Sequence, residues 1–254
     1  MPPIESTVRR ARPVAALVVL LLATATASAT SASVRPVARP EPQALRVDVG
    51  SFTLYTNDQR AGREQFSVQR LTGADGVALE LRAESAIGDR RAAVRLETDS
   101  AAVPVRYSIE ERQGATVTLR LGGQRVRGRF TTLARSTSGE AAREYLLVPG
   151  ARVLEDEGVS QYALLVRHRT LRVGDSLIIP VLTPSANRQG TVRLVLDRAD
   201  DTVSIAGARR VARQWRVVTA SNETRLVWSD ADDRLLRLEI PARGFRALRD
   251  DIPR

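Results

Sequence analysis

The chain has 254 residues, a formal net charge of +10 and no cysteine. That length suits one β-rich domain behind a short leader, with enough core to need no metal or disulfide staple. The missing thiol excludes a lipid anchor on an N-terminal cysteine, cysteinate zinc sites and cysteine nucleophiles.

Every one of the 39 strongly basic side chains is arginine. They alternate with carboxylates, as in Arg82-Ala83-Glu84 and Arg237-Leu238-Glu239, and form no long block. Charge spread this way reads as composition and not as a polyanion footprint, so no nucleic-acid partner is expected. Peripheral contact with a membrane surface stays open.

Residues 1–29 read as a signal peptide. Arg9, Arg10 and Arg12 precede an apolar run from Val14 to Ala23, and small residues follow. The run is too short to span a bilayer, and Ala25-Thr26-Ala27 and Ala27-Ser28-Ala29 supply small side chains for the peptidase. Cleavage after Ala27 or Ala29 is expected. It removes Glu5 with the three arginines and leaves an exported, periplasmic protein of charge +8. Pro36, Pro40 and Pro42 then make residues 30–43 an extended linker, and 44–254 a single β-rich domain.

Period-two alternation dominates that domain. Val103, Val105, Tyr107 and Ile109 alternate with Pro104, Arg106, Ser108 and Glu110, and the runs at Val77–Leu81, Val117–Leu121, Val192–Leu196 and Leu236–Ile240 behave alike. Such strands put one face into a core and the other into water, the habit of antiparallel sheets. About twelve strands are expected, over 45–56, 63–71, 77–86, 91–98, 103–111, 115–121, 124–131, 143–148, 177–183, 190–197, 211–219 and 223–240, the last holding a hairpin. Asp75-Gly76, Gly122-Gly123 and Asp230 to Asp233 read as their turns.

From Val159 to His168 the alternation stops. Tyr162, Leu165, Val166 and Arg169 fall at helical offsets. Glu155, Asp156 and Glu157 precede them, Arg167, His168 and Arg169 close them, and Gly174 follows as a stop. One short helix is expected.

Chemistry is scarce. His168 is the only histidine, so imidazole-pair metal sites are impossible, and no G-x-S-x-G elbow offers it a nucleophile. Asp230, Asp232 and Asp233 begin like a calcium loop but lack its glycine and distant glutamate. Those acids, Glu155 to Glu157 and Asp200-Asp201 read as solvated turn residues. No catalytic residue, metal or cofactor is expected, and the chain is read as non-enzymatic.

Two segments carry a resemblance. Gly62-Arg63-Glu64-Gln65-Phe66-Ser67-Val68 resembles the early strand of a group of exported bacterial domains of unknown function. Val227-Trp228-Ser229-Asp230 with Arg234-Leu235-Leu236-Arg237-Leu238 resembles their closing hairpin. That group looks related to the half-barrel superfamily of the lipoprotein carrier LolA, and the likeness covers roughly residues 45–250. It implies an antiparallel sheet wrapped around a helix, with acyl chains or other apolar ligands bound in the hollow. No ligand residue carries over from it.

The expected fold is therefore mainly β: a large antiparallel sheet curled into a half-barrel or open barrel, with one short helix against the concave face. Tyr162 and Leu165 on the helix would face Val117, Leu119, Trp215 and Trp228 on the sheet around an apolar, possibly lipidic, ligand. The rival expectation is a structural or interaction module that recruits an envelope protein through a sheet edge. A packed interior with a long uncovered edge would favour the rival.

Overall fold

The computed structural model describes residues 43–72 and 76–253. The expected signal peptide, the linker up to residue 42 and Asp75 of the expected turn lie outside the described residues. The chain forms fifteen strands: β1 (Gln43–Thr56), β2 (Gln59–Thr72), β3 (Leu79–Ile87), β4 (Arg90–Thr98), β5 (Pro104–Gln113), β6 (Thr116–Val126), β7 (Arg129–Ser136), β8 (Gly139–Leu146), β9 (Arg152–Val153), β10 (Ser176–Thr183), β11 (Arg188–Ile205), β12 (Ala208–Thr219), β13 (Thr224–Ser229), β14 (Leu235–Ile240) and β15 (Phe245–Arg249). One α-helix among the described residues, α1 (Gln161–Val166), lies between β9 and β10.

All fifteen strands belong to one open sheet, ordered β8-β7-β6-β5-β4-β3-β2-β1-β15-β14-β13-β12-β11-β10-β9. Neighbours are antiparallel except β9 and β10, which run parallel. The topology is two meanders joined where the last strand, β15, pairs with the first, β1. The expected mainly-β, curled and open antiparallel sheet is what the chain forms.

Alternation drives this arrangement. Glu64, Phe66 and Val68 of β2, Tyr107 and Ile109 of β5, and Trp215 and Val217 of β12 are buried, with more exposed residues between them. The concave face gathers one large apolar cluster from Phe52 on β1 through Phe130 on β7 to Leu194 on β11. The connection between β8 and β10 is folded into it: Leu154, Val159 and all six residues of α1 are buried there. Burial on every side, and not amphipathicity, holds so short a helix, which could not persist alone in water.

A second, smaller cluster lies on the opposite face. The register of β11 against β12 shifts between Leu196 and Asp201, and beyond that irregularity Val203, Ile205 and Ala212 pack on Trp228 and Leu236. Bulges of this kind bend a strand and strengthen its twist. Here the tip of the β11–β12 hairpin turns back over β13 and β14.

The two sheet edges differ. β9 is two residues long and both are buried, a blunted edge. β8 is eight residues long and its first six are exposed. Near its end, Tyr145 donates to Asn187 Oδ1 at 3.1 Å and Gln189 Nε2 donates to the Leu146 carbonyl at 2.8 Å. These two side-chain bonds, not a strand ladder, draw the β8 end towards the β10–β11 turn.

Three expectations need correcting. Gly122-Gly123 is no turn: β6 runs through it and reverses at Arg127-Gly128, with φ of 48° and 78°. Two left-handed residues in succession match strand twist in a tight hairpin. The helix is six residues, with no acid in its first turn and no base in its last. His168 lies beyond it at φ 55°, exposed, its backbone N–H donating to Asp233 Oδ2 at 2.8 Å. Finally, β15 was hidden because Phe245 to Arg249 alternates too briefly to stand out.

Candidate functional site

Of the six residues expected to line a hollow, Tyr162, Leu165 and Trp215 do meet on the concave side, at 0%, 1% and 0% exposure. They fill that space and do not surround it. The Tyr162 hydroxyl takes a hydrogen bond from Arg225 Nη1, and Trp215 Nε1 donates to Ser229 Oγ at 3.0 Å, so both polar tips are satisfied by protein. Leu119 packs at the margin of the cluster.

Val117 and Trp228 lie elsewhere. The β5–β6 register shifts between Glu111 and Arg112, so Leu119 opposes Glu111 while Val117 opposes Arg112. The bulge puts Val117 out of phase with Leu119 and outside the buried cluster. Trp228 is next to Val227, the register partner of Trp215. Successive strand residues point to opposite faces, so Trp228 joins the outer cluster. Its Nε1 donates to Asp201 Oδ2 at 2.7 Å and Arg237 covers its ring at 4.7 Å.

Two accessible features bear on function. The first is the β8 edge. The Leu147 N–H donates to the Gly128 carbonyl at 3.1 Å, continuing the β7 ladder, so odd-numbered residues of β8 address β7. The even ones, Glu140, Ala142 and Glu144, then direct backbone N–H and C=O away from the sheet. The bond from Gln189 to the Leu146 carbonyl, made from the outer side, fits the same phase. Arg143 Nη1 reaches the Ala142 carbonyl at 3.4 Å.

The second is a cavity of about 200 Å³ at one end of the curl, between β2–β6 and the segment that leads into α1. The sheet contributes apolar Ala83, Ile87, Val94 and Ile109 together with Glu111 and the arginines of the rim. Polar groups of β2 and of the segment before α1 line it as well. Glu64 Oε1 accepts the Ser160 N–H at 2.7 Å and its Oε2 the Val159 N–H at 3.1 Å, so a carboxylate on β2 fixes the entry to α1. Glu155 accepts from Tyr107 at 2.8 Å and from the hydroxyl and N–H of Ser185. Its own N–H donates to Gln161 Oε1 at 2.6 Å. Burial raises the carboxyl of Glu64 above the ordinary glutamate value, with the Ser160 and Val159 N–H groups opposing it. Burial likewise raises Glu155 and Glu111. It also pushes the Tyr107 hydroxyl well up, helped by the charge of Glu155.

Glu155 is thus a correction: it is 4% exposed and not a solvated turn acid. Asp156 and Glu157 stay nearer solvent, the first with Arg188 and Arg225, the second with Arg90 at 2.9 Å. The sequence did carry a signal for the others. Glu64 continues the inward phase of Phe66 and Val68, and Glu111 that of Tyr107 and Ile109. An acid in an inward position is the mark of a special site.

No family model matches the chain, and no curated protein matches it. Among solved structures, a DUF1089 family protein from Pseudomonas aeruginosa is similar with a TM-score of 0.42 and 12% identity, over 71% of this chain and 90% of that one.

Proposed function

We propose that the chain is an exported, non-enzymatic interaction module of the bacterial envelope, which recruits an extended segment of a partner protein along β8. One observation carries this reading: the concave interior is filled by α1, Leu154 and Val159, while the first six residues of β8 are exposed. The apolar hollow implied by the resemblance to LolA-like carriers would need the space that Tyr162, Leu165 and Trp215 occupy. A lipid cargo is correspondingly disfavoured.

The asymmetry of the edges supports the reading. Natural sheets shorten, bend or charge their edges to prevent indiscriminate pairing. β9 is cut to two buried residues, whereas β8 keeps three outward-facing backbone positions in a row. Glu140 is paired with Arg135 and Glu144 with Arg129. These charges discourage self-pairing, and Ala141 and Ala142 leave room for an incoming strand. Main-chain bonds would supply affinity and the flanking charges selectivity. Export rests on the three arginines, apolar run and small residues of 1–29.

The test is site-specific photocrosslinking in cells, with the probe at Glu140 and a control probe at exposed Arg193. A discrete adduct at Glu140 alone is expected. Ala142→Pro should abolish it without lowering the melting temperature, because that N–H points outward. Adducts of equal yield at both sites, or indifference to Ala142→Pro, refute the edge. Amino-terminal sequencing of the periplasmic protein should begin at Ser28 or Thr30; a cytoplasmic chain retaining Met1 refutes export.

A further inference from the structure

Among the described residues, buried acids are partnered by arginine, with two exceptions that share a cavity. Asp48 is held by Arg249, Glu80 by Arg82 and Arg95, and Glu97 by Arg95 and Arg106. Glu64 and Glu155, 2% and 4% exposed, make no ion pair among the described residues, and both line the end cavity. Half-buried Glu111 lines it too and makes no ion pair among the described residues; Arg90, which attracts it from nearby, is bonded to Glu157. In a chain with 39 basic residues against 29 acids, three unpaired carboxylates on one cavity are not an accident of composition.

A fourth observation is independent of the acids. Gln161 is 2% exposed and lines the same cavity, and among the described residues its buried Nε2 meets the Tyr107 hydroxyl without making a well-formed hydrogen bond. The amide cannot be reversed to cure this, because Oε1 is taken by the Glu155 N–H. A buried donor left unmade is costly, so an acceptor is wanted there. The carboxylates want the opposite, a donor that brings positive charge.

We propose that the cavity is a binding site for a small amino alcohol: an ammonium group facing Glu64, Glu111 and Glu155, and a hydroxyl accepting from Gln161. The short carbon stem between them lies on Ala83, Val94 and Ile109. The volume of about 200 Å³ equals roughly six or seven waters, room for a small molecule. At the rim Arg90 and Arg112 are neutralised by Glu157 and Glu110. Among the described residues Arg91 is the rim arginine without an acid partner, and it makes an anion the rival occupant.

The experiment is calorimetric titration of the full mature chain at neutral pH with four matched probes: 4-amino-1-butanol, butylamine, 1-butanol and butyrate. Saturable one-site binding of 4-amino-1-butanol is expected, weaker binding of butylamine, and none of 1-butanol or butyrate. Glu111→Gln should weaken amine binding about tenfold or more, the loss of one charged hydrogen bond, with the melting temperature retained. Because Glu64→Gln removes a contact that seats α1, Glu111→Gln is the deciding variant. Binding of 1-butanol as tight as that of the amines would show a cavity of neutral acids and overturn the proposal. So would binding of butyrate, no binding of any probe at millimolar concentration, or an unaltered Glu111→Gln protein. Each outcome is independent of whether β8 recruits a partner.

Discussion

Trp215 and Trp228 lie on opposite faces of one sheet, although both sit in apolar, alternating segments of adjacent strands. Trp215 opposes Val227, and the one-residue step to Trp228 turns that ring outward, beneath the β11–β12 hairpin. The two indoles therefore report on different parts of the fold. Trp228→Ala should cost about 3 kcal/mol, since it empties the centre of the small outer cluster. Asp201→Ala should cost about 1 kcal/mol, the worth of the bond to Trp228 Nε1. Urea denaturation gives both values. Limited proteolysis at Ala206-Gly207 should accelerate in either variant, and equal protection there would contradict the capping role of the hairpin.

The cavity acids make stability depend on pH in a defined direction. Burial, the largest cause, raises Glu64 and Glu155, so the folded protein binds their protons more tightly than the unfolded chain does. Their contribution is complete below the ordinary glutamate value of 4.5 and is lost as pH rises through the raised, folded-state values. Glu80 and Glu223 behave oppositely. Burial acts upward on them, but arginine hydrogen bonds prevail and lower both, so their contribution is present above 4.5 and lost as pH falls through the lowered values. Stability should therefore be greatest near the ordinary glutamate value of 4.5, where both sets contribute. Glu64→Gln should flatten the alkaline limb of that peak while leaving the acid limb unchanged. Thermal unfolding between pH 3 and 8 measures both limbs; an alkaline limb as steep in the variant as in the parent would refute the assignment.

Strand periodicity was legible because each β-strand advertises its own two faces. Phe66, Tyr107 and Val217 could be placed inward from neighbours alone. Whatever depends on a partner strand could not. The phase of Trp228 is set by register with β12, and that of Val117 by a bulge opposite Glu111 and Arg112. The run Glu155 to Glu157 looked like a solvated turn because nothing local announces that Tyr107 and Ser185, 48 and 30 residues away, will enclose its first member. Glu64 and Glu111 were visible as acids in inward phase, and only their convergence needed the fold.

At the junction of the two meanders a buried ion pair ties the ends of the described chain together. Arg249, at 0% side-chain exposure, makes a two-pronged contact with Asp48 at 2.7 and 2.9 Å and lies over Phe66 at 5.2 Å. It also donates to the Val49 and Leu235 carbonyls. Removing Asp48 leaves Arg249 with Asp251 alone, 3.2 Å away and 41% exposed, so Asp48→Ala should cost about 3 kcal/mol, the low end for a broken buried pair. Replacing both, as in Asp48→Leu with Arg249→Met, should cost less than Asp48→Ala alone, because no uncompensated charge is left. Chemical denaturation of the variants decides this; a double variant less stable than the single one would show that the carbonyl bonds of Arg249 outweigh its charge.

Adjacent glycines in β6 offer the sharpest contrast. A Cβ on Gly123 would come within 2.7 Å of Phe130 and 2.8 Å of Thr132, whereas one on Gly122 meets nothing within 4 Å. Gly123 opposes Thr132 and Tyr107, and its bare backbone is what lets the Phe130 ring pack down to 0% exposure. Gly123→Ala should therefore displace that ring and cost about 1–3 kcal/mol, as overpacking does. Gly122→Ala should stabilise the protein by about 0.5 kcal/mol, because it restricts the unfolded chain without strain in the strand. Were the pair a hairpin turn, both substitutions would be harmful to a similar degree. Denaturation midpoints of the two variants separate a continuous strand from a turn in one measurement.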